Sequence, residues 1–290
     1  MGNLKEIRAR IASVASTEKI TSAMKMVAAA KLKKTESLTM SFLPYRDKLT
    51  EALSNYLSAL EEEVNIPLAE QREASRVAIV AFSSSNGLCG VFNSNVSKLF
   101  QETYYNYVNQ LGRKNVDVYL FGKKIKDFAA KNRIRATASY PSLSDEMSFE
   151  TAVQLSDMLT ERFLKRDIDC VVMVYNHFKN AGVQVAQCET VIPLSTDTLP
   201  EGNSYNYIVE PSKEAFINAL VPKVIHTKFY SIMLDTLTAE HGARMTAMHI
   251  ASDNANELLQ DLRREYNRAR QDVITTELID IVGGAEALNK

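Results

Sequence analysis

The stretch 255–273, ANELLQDLRREYNRARQDV, decides the fold. Its residues Ala255, Leu259, Leu262, Tyr266, Ala269 and Val273 recur at alternating steps of four and three, a narrow seam of the kind that packs on another helix. Outward from it, no proline follows Pro222 before Val282, and the only glycine is Gly242; Gly283-Gly284 then supplies a helix C-terminal signal. The pattern predicts one helix over 222–282. At 1.5 Å per residue it would be about 90 Å long, whereas a globule of about 130 residues has a radius of gyration near 14 Å. Most of such a helix must project, and it needs a partner in its own chain or in another protein.

The other end of the chain reads the same way. From Asn3 to about Glu63, Leu4, Ile7, Ile11 and Val14 step by three and four, and Met24, Val27 and Ala28 continue a face after a small phase slip. Pro44 is the only breaker, so a kink or short break is expected near Phe42 to Pro44. Ala28, Ala29 and Ala30 suit the close approach of another helix. Two long helices with narrow seams are most economically arranged as an antiparallel coiled coil of the chain's two ends.

Between the ends the pattern changes. Glu61-Glu62-Glu63 and Pro67 mark a linker, and Arg76 to Phe82 is then a continuous apolar run of strand length, suited to a parallel strand buried on both faces. The alternation continues with a helix over 95–111, a strand over 116–121, a helix over 123–131 and a weak strand over 133–139. A helix over 148–165, a strand over 169–175 and its pair partner over 182–194 follow. This is the pattern of a Rossmann-like α/β domain with a largely parallel sheet, mixed at one edge. Pro193, Pro200, Gly202 and Pro211 return the chain to the terminal helix through a loop. The expected domains are residues 1–63, 74–200 and 211–290, the first pairing with the last.

Composition sets bounds. The net charge is −1, yet residues 1–50 hold ten Lys and Arg against four Asp and Glu, a basic bias that the total hides. Three cysteines, Cys89, Cys170 and Cys188, with no C-x-x-C or Cys/His ligand spacing, point to reduced thiols in a cytosolic compartment and to no metal site. No apolar run approaches the roughly 20 residues of a membrane span. Lys5, Glu6, Arg8 and Arg10 stand where a signal peptide would be apolar.

Ser83-Ser84-Ser85-Asn86-Gly87-Leu88-Cys89-Gly90 lies where a nucleotide-binding domain would carry its phosphate loop. Neither G-x-G-x-x-G nor G-x-x-x-x-G-K-[ST] is present, and the stretch lacks a lysine to meet phosphate, so a tight turn is the stronger reading. Cys89 has no activating His nearby in sequence and reads as packing. His177, His226, His241 and His249 are scattered singly and are assigned to neither metal nor catalysis. Arg263, Arg264, Arg268 and Arg270 fall within eight positions. A solvated face is the plain reading, a DNA-entering helix is opposed by the interspersed acids, and a polar contact surface for another protein is the sharper alternative.

Several stretches together resemble the gamma subunit of F-type ATP synthase. They are Lys5-Glu6-Ile7-Arg8, Arg10 to Val14, Lys19-Ile20-Thr21 and Ala23 to Ala29 at the start, and Gly87 to Gly90 with Asn93 in the middle. At the end they are Ala243-Arg244-Met245, Asp253-Asn254-Ala255, Tyr266 to Gln271, Ile274-Thr275, Glu277-Leu278 and Ile281 to Ala285. The loop departs from the family in Ser85-Asn86, where an acidic-Arg pair is usual, and in Val91, where glycine is.

The resemblance implies a central rotor shaft without an active site, catalytic residue, cofactor or metal. Its paired helices would run up the hole of a ring of alpha and beta subunits, with the α/β domain at the base against epsilon and the ring of c subunits. An asymmetric shaft would present different faces to three catalytic subunits in turn, coupling proton-driven rotation to ATP synthesis or hydrolysis. By motif match, Met24 and Lys25 would lie near acidic lever segments of beta, with Arg244 on the facing part of the terminal helix. Arg270, Gln271 and Thr275 would meet the catch region of beta. No nucleic acid is expected as a partner, and membrane association would run through protein partners only. The absence of a transit-like leader favours a bacterial protein, peripheral on the cytoplasmic side of the inner membrane. The rival readings are a non-rotating scaffold and a nucleotide-binding α/β enzyme.

Overall fold

The computed structural model describes residues 2–58, 66–140, 148–195 and 212–288. The Glu61-Glu62-Glu63 linker and the part of the return loop holding Pro200, Gly202 and Pro211 lie outside the described residues. The elements in order are α1 (Gly2–Ser58), β1 (Val77–Phe82), α2 (Phe92–Leu111), β2 (Val116–Phe121), α3 (Lys123–Lys131), β3 (Ala138–Tyr140), α4 (Phe149–Leu164), β4 (Cys170–Asn180), β5 (Val183–Ile192) and α5 (Lys213–Leu288). They form two compact units, Ala29–Arg244, and Met1–Ala28 with Met245–Lys290.

The larger unit is built on a five-stranded sheet in the order β3-β2-β1-β4-β5. The first four strands are parallel and β5 is antiparallel to β4, the mixed edge that the alternation implies. β1 and β2 are buried along their whole length, and the two-residue period sends β1 to two cores. Ala78, Val80 and Phe82 meet Leu155, Leu159 and Phe163 of α4 and Ile225 and Phe229 of α5. Val77, Ile79 and Ala81 meet Val96 and Phe100 of α2 and Ile125 and Ala129 of α3. An all-apolar strand is therefore required, because neither face sees water.

In this unit α1 and α5 run antiparallel: the Phe42 and Tyr230 rings lie edge to face at 4.8 Å, Arg46 Nη1 donates to Ser231 Oγ at 3.1 Å, and the Tyr56 and Phe216 rings are 4.9 Å apart. In the smaller unit the same sense holds. Arg8 Nη2 donates to the Tyr266 hydroxyl at 2.6 Å and Ser252 Oγ to Glu18 Oε1 at 3.4 Å. Its seam on α5 runs through Met248, Ser252, Ala255, Leu259 and Leu262, all buried, to Tyr266, Ala269 and Val273, half-buried.

Several sequence expectations need correction. The break near Pro44 does not occur, since α1 is helical through it; the carbonyl that loses its bond belongs to exposed Met40, where water can replace the donor. Pro222 is likewise inside α5, which begins at Lys213, and its lost acceptor belongs to exposed Asn218. Gly283-Gly284 does not end the helix, which continues to Leu288; glycine weakens a helix by about 1 kcal/mol per residue without forbidding its angles.

The phase slip in α1 is absent. The seam continues through Glu18, Thr21, Lys25 and Ala28, and Val27 is 58% exposed, because polar residues occupy seam positions that an apolar count skips. β3 is only three residues long, since Arg133 at φ 55 and Ile134 close the end of α3, with Ile134 N donating to Ala129 O. β4 runs five residues beyond Tyr175, because pairing such as His177 with Val185 carries the polar residues onward as a hairpin.

Burying Leu259 and Leu262 contributes about 1.5–3 kcal/mol each to holding the helix pair of the smaller unit. Leu262→Asp leaves a carboxylate in that seam and is expected to separate the pair, read by far-UV circular dichroism as lost helix with the cooperative melt of the larger unit retained. A wild-type spectrum for this variant would show that the seam is not what orders the pair.

Candidate partner-contact surfaces

The loop after β1 occupies the crest of the sheet, and its own side chains fill it. Ser83 Oγ accepts from Ile125 N at 2.9 Å, Ser84 O accepts from Lys124 N at 3.2 Å, and Asn93 takes Ser84 N on its Oδ1 at 3.1 Å. The same Asn93 amide donates to Cys89 Sγ at 3.0 Å. Leu88 and Gly90 adopt left-handed backbone angles, φ 63 and 57. Gly122 closes the crest, since a Cβ there would lie 2.2 Å from Ser83 O. Ser83 N donates to Phe121 O at 2.8 Å, so the first two amides of the loop, Ser83 N and Ser84 N, are bonded within the protein. Burial pushes the Cys89 thiol up, away from the nucleophilic thiolate, and its sulfur packs with Phe92, Ala239 and Ala243.

Arg244 holds this loop to α5. Its guanidinium lies 2.8 Å from Glu240 Oε1, with the two side chains 13% and 2% exposed, and its Nε and Nη2 reach the carbonyls of Gly87 and Asn86 at 3.4 and 3.5 Å. An ion pair this buried is costly to break, because one partner would be left charged and dry. Next to it His241 is buried, and its Nδ1 has no hydrogen-bond partner among the described residues. Burial, then the charges of Arg244 and Lys31, hold the imidazole down to about 4. Gly242 completes the trio: a Cβ there would stand 2.9 Å from Phe178, so only glycine lets α5 approach the β4–β5 hairpin this closely.

The other expected contact residues lie in the smaller unit. Met24 and Lys25 are half-buried on α1, Lys25 at a seam position, while their neighbours Met26 and Val27 are exposed. Arg270, Gln271 and Thr275 are exposed on α5, and Thr275 Oγ1 donates to Gln271 O at 2.9 Å. Arg264 pairs with Asp261 at 3.3 Å in the open, an interaction worth well under 1 kcal/mol, so the arginine run carries no built site. Beyond the seam Ile274, Leu278, Ile279, Ile281 and Val282 are all exposed, an apolar stretch on several sides of one helix.

The structure thus places Arg244 in the larger unit and the other five residues in the smaller one. The sequence reading missed Glu240, and it names His241 and Gly242 without giving either a role at this loop. Glu240 stands one helical turn before Arg244, a readable signal, whereas the partners of His177 and His226, Asp235 and Asp157 at 2.7 Å each, are remote in sequence. Among the described residues no three His, Cys, Asp or Glu side chains converge to hold a metal ion, and no helix is long and apolar enough to cross a membrane.

A family profile described as ATP synthase matches residues 3–288. The chain is 46% identical over 290 residues to the ATP synthase gamma chain of Flavobacterium johnsoniae, covering 100% of both, and 45% identical over 292 residues to that of Bacteroides fragilis, covering 99% and 100%. Among solved structures it resembles a chain of the Euglena gracilis mitochondrial ATP synthase OSCP/F1/c-ring, with TM-score 0.64, 18% identity and coverage of 99% and 95%. A chain of the Tetrahymena thermophila mitochondrial ATP synthase central stalk/c-ring matches with TM-score 0.58, 23% identity and coverage of 80% and 99%.

The His241 environment sets a pH dependence. Its folded-state value lies below the unfolded one, so the unfolded chain binds the extra proton between about 6.5 and 4 and stability falls as pH drops through that window. The loss amounts to roughly 3 kcal/mol at the acid end. Denaturant midpoints measured at neutral and mildly acid pH are expected to converge in His241→Gln relative to the parent chain. An unchanged slope would show that His241 is not the titrating group.

Proposed function

The chain belongs to the ATP synthase gamma chain family, and from that premise we propose that it is a rotating central shaft that couples proton-driven turning of a c-ring to ATP synthesis or hydrolysis in a surrounding ring. The observation that carries the reading is the graded exposure of α5. Its middle is seamed against α1, and its end from Ile274 to Val282 shows apolar side chains to the outside, a surface that suits enclosure by other subunits.

On this reading the chain is the non-catalytic subunit of the complex. The loop after β1, which carries no lysine to meet phosphate and whose Ser83 and Ser84 amides are bonded within the protein, supports that assignment, as does the buried thiol of Cys89. The ring's alpha and beta subunits would meet residues 1–63 and 211–290, paired as a coiled coil. Residues 74–200, as the α/β domain, would stand against epsilon and the c-ring. Within this scheme Met24 and Lys25 face a lever of beta, together with exposed Met26 and Val27, while Arg270, Gln271 and Thr275 face its catch region. Arg244 takes part indirectly, by fixing the loop at Asn86 and Gly87 to α5 within the larger unit. The bacterial sources of the relatives support a peripheral position on the cytoplasmic side of the inner membrane, reached through protein partners.

Rotation separates this reading from that of a passive scaffold. Each catalytic cycle would require the shaft to leave one beta subunit and meet the next. A cysteine at Met24 or Lys25, joined to a cysteine on the facing beta lever after replacement of Cys89, Cys170 and Cys188, is expected to stop multi-turnover ATP hydrolysis when oxidised and to restore it when reduced. A steady-state rate unchanged by a complete cross-link would refute rotation through that contact.

A further inference from the structure

A groove of about 550 Å³ opens at the amino-terminal edge of β2, between the 3-10 turn at Arg113–Asn115 and the segment 133–137 that leads into β3. Arg113, Lys114, Arg133 and Arg135 line it, and among the described residues none of the four makes an ion pair. The acid in its lining, Asp117, is already neutralised. It lies 2.6 Å from Arg162 Nη2 and 3.5 Å from Arg76 Nη2, and Thr137 Oγ1 reaches its other oxygen at 3.4 Å. The chain as a whole carries 35 acidic against 34 basic side chains, so four uncommitted cations around one spent carboxylate depart from the mixed surface that solvation alone would give.

We infer that this groove binds a phosphate ester. Guanidinium forks and an ammonium are the side chains that take phosphoryl oxygens, and the volume falls in the roughly 300–1,000 Å³ range of small-ligand sites. Tyr104, Val116 and Ala136 supply an apolar wall beside the cations, which leaves a place for an organic substituent next to the phosphoryl group. The strand β2 separates this groove from the crest where Arg244 holds the loop after β1, so its ligand does not compete with that contact. Two sources present such chemistry, the head group of an anionic phospholipid and a soluble phosphate compound.

The test uses the full chain and two probes, inorganic pyrophosphate in calorimetry and phosphatidylcholine vesicles with and without phosphatidylglycerol in flotation. The variant Arg113→Gln, Lys114→Gln, Arg135→Gln leaves Arg133, whose left-handed backbone makes it a poor site to change, and its fold is checked by circular dichroism. A control variant changes Lys31, Lys33 and Lys34 to Gln, away from the groove. Binding of at least one probe that weakens with added salt, falls at least about tenfold in the groove variant and persists in the control is expected. Vesicle binding alone would assign a lipid head group, and pyrophosphate binding alone a soluble ligand. The inference is overturned if neither probe binds, if the loss follows the control variant instead, or if a poly-glutamate peptide binds more tightly than both, which would make the groove an acidic-protein surface.

Discussion

Between Val224 and Ala243 helix α5 is packed on nearly all sides, and the larger unit depends on that burial. Ile225 and Phe229 close one face of the sheet, Ala239 and Ala243 seat the loop after β1, and Asp235 takes Phe178 N at 2.9 Å and His177 Nδ1 at 2.7 Å near the turn of the β4–β5 hairpin. A helix buried all round cannot shift without opening a core on every side, so it behaves as part of the scaffold. Past Met248 the same helix buries a single seam, and from Ile274 to Val282 every residue is exposed. One continuous helix therefore carries three mechanical regimes, set by how many sides find partners.

Polar groups sharpen the first regime. Glu240 and Arg244 are nearly dry, and the imidazole of His241 is kept neutral beside them, so the segment 239–244 combines close packing with charge that must stay paired. Such a cluster contributes little net stability, yet any displacement of the loop at Asn86 and Gly87 would leave Arg244 short of acceptors. In a shaft, relative motion inside the larger unit would waste torque, and a contact that is costly to loosen suits that place.

The fold was legible wherever burial follows a simple period. The run at 77–82 announced a strand buried twice, and the step pattern at 255–273 announced a helix with one narrow partner. Breakers were misleading because each acts locally: Pro44 and Pro222 each remove one hydrogen bond, Gly283-Gly284 adds only backbone freedom, and the helices continue through all of them. The polar seam residues Glu18, Thr21 and Lys25 hid the true phase of α1, since an apolar count reads past them. At the site, family resemblance drew attention to Arg244, but the reason it matters locally, two backbone carbonyls in a loop more than 150 residues earlier, is a tertiary fact without a local sequence signal. The basic groove was equally hidden, because Arg113 and Arg135 meet only after β2 and α3 bring their loops to one edge.

Hydrogen exchange along α5, measured on the purified chain, tests the account most directly. Slow exchange over 217–243, intermediate exchange over 248–273 and fast exchange over 274–288 is the predicted order, and enclosure in the assembled ATP synthase should slow the last two segments selectively. Uniform protection along α5 in the isolated chain, or fast exchange over 274–288 that assembly leaves unchanged, would contradict it.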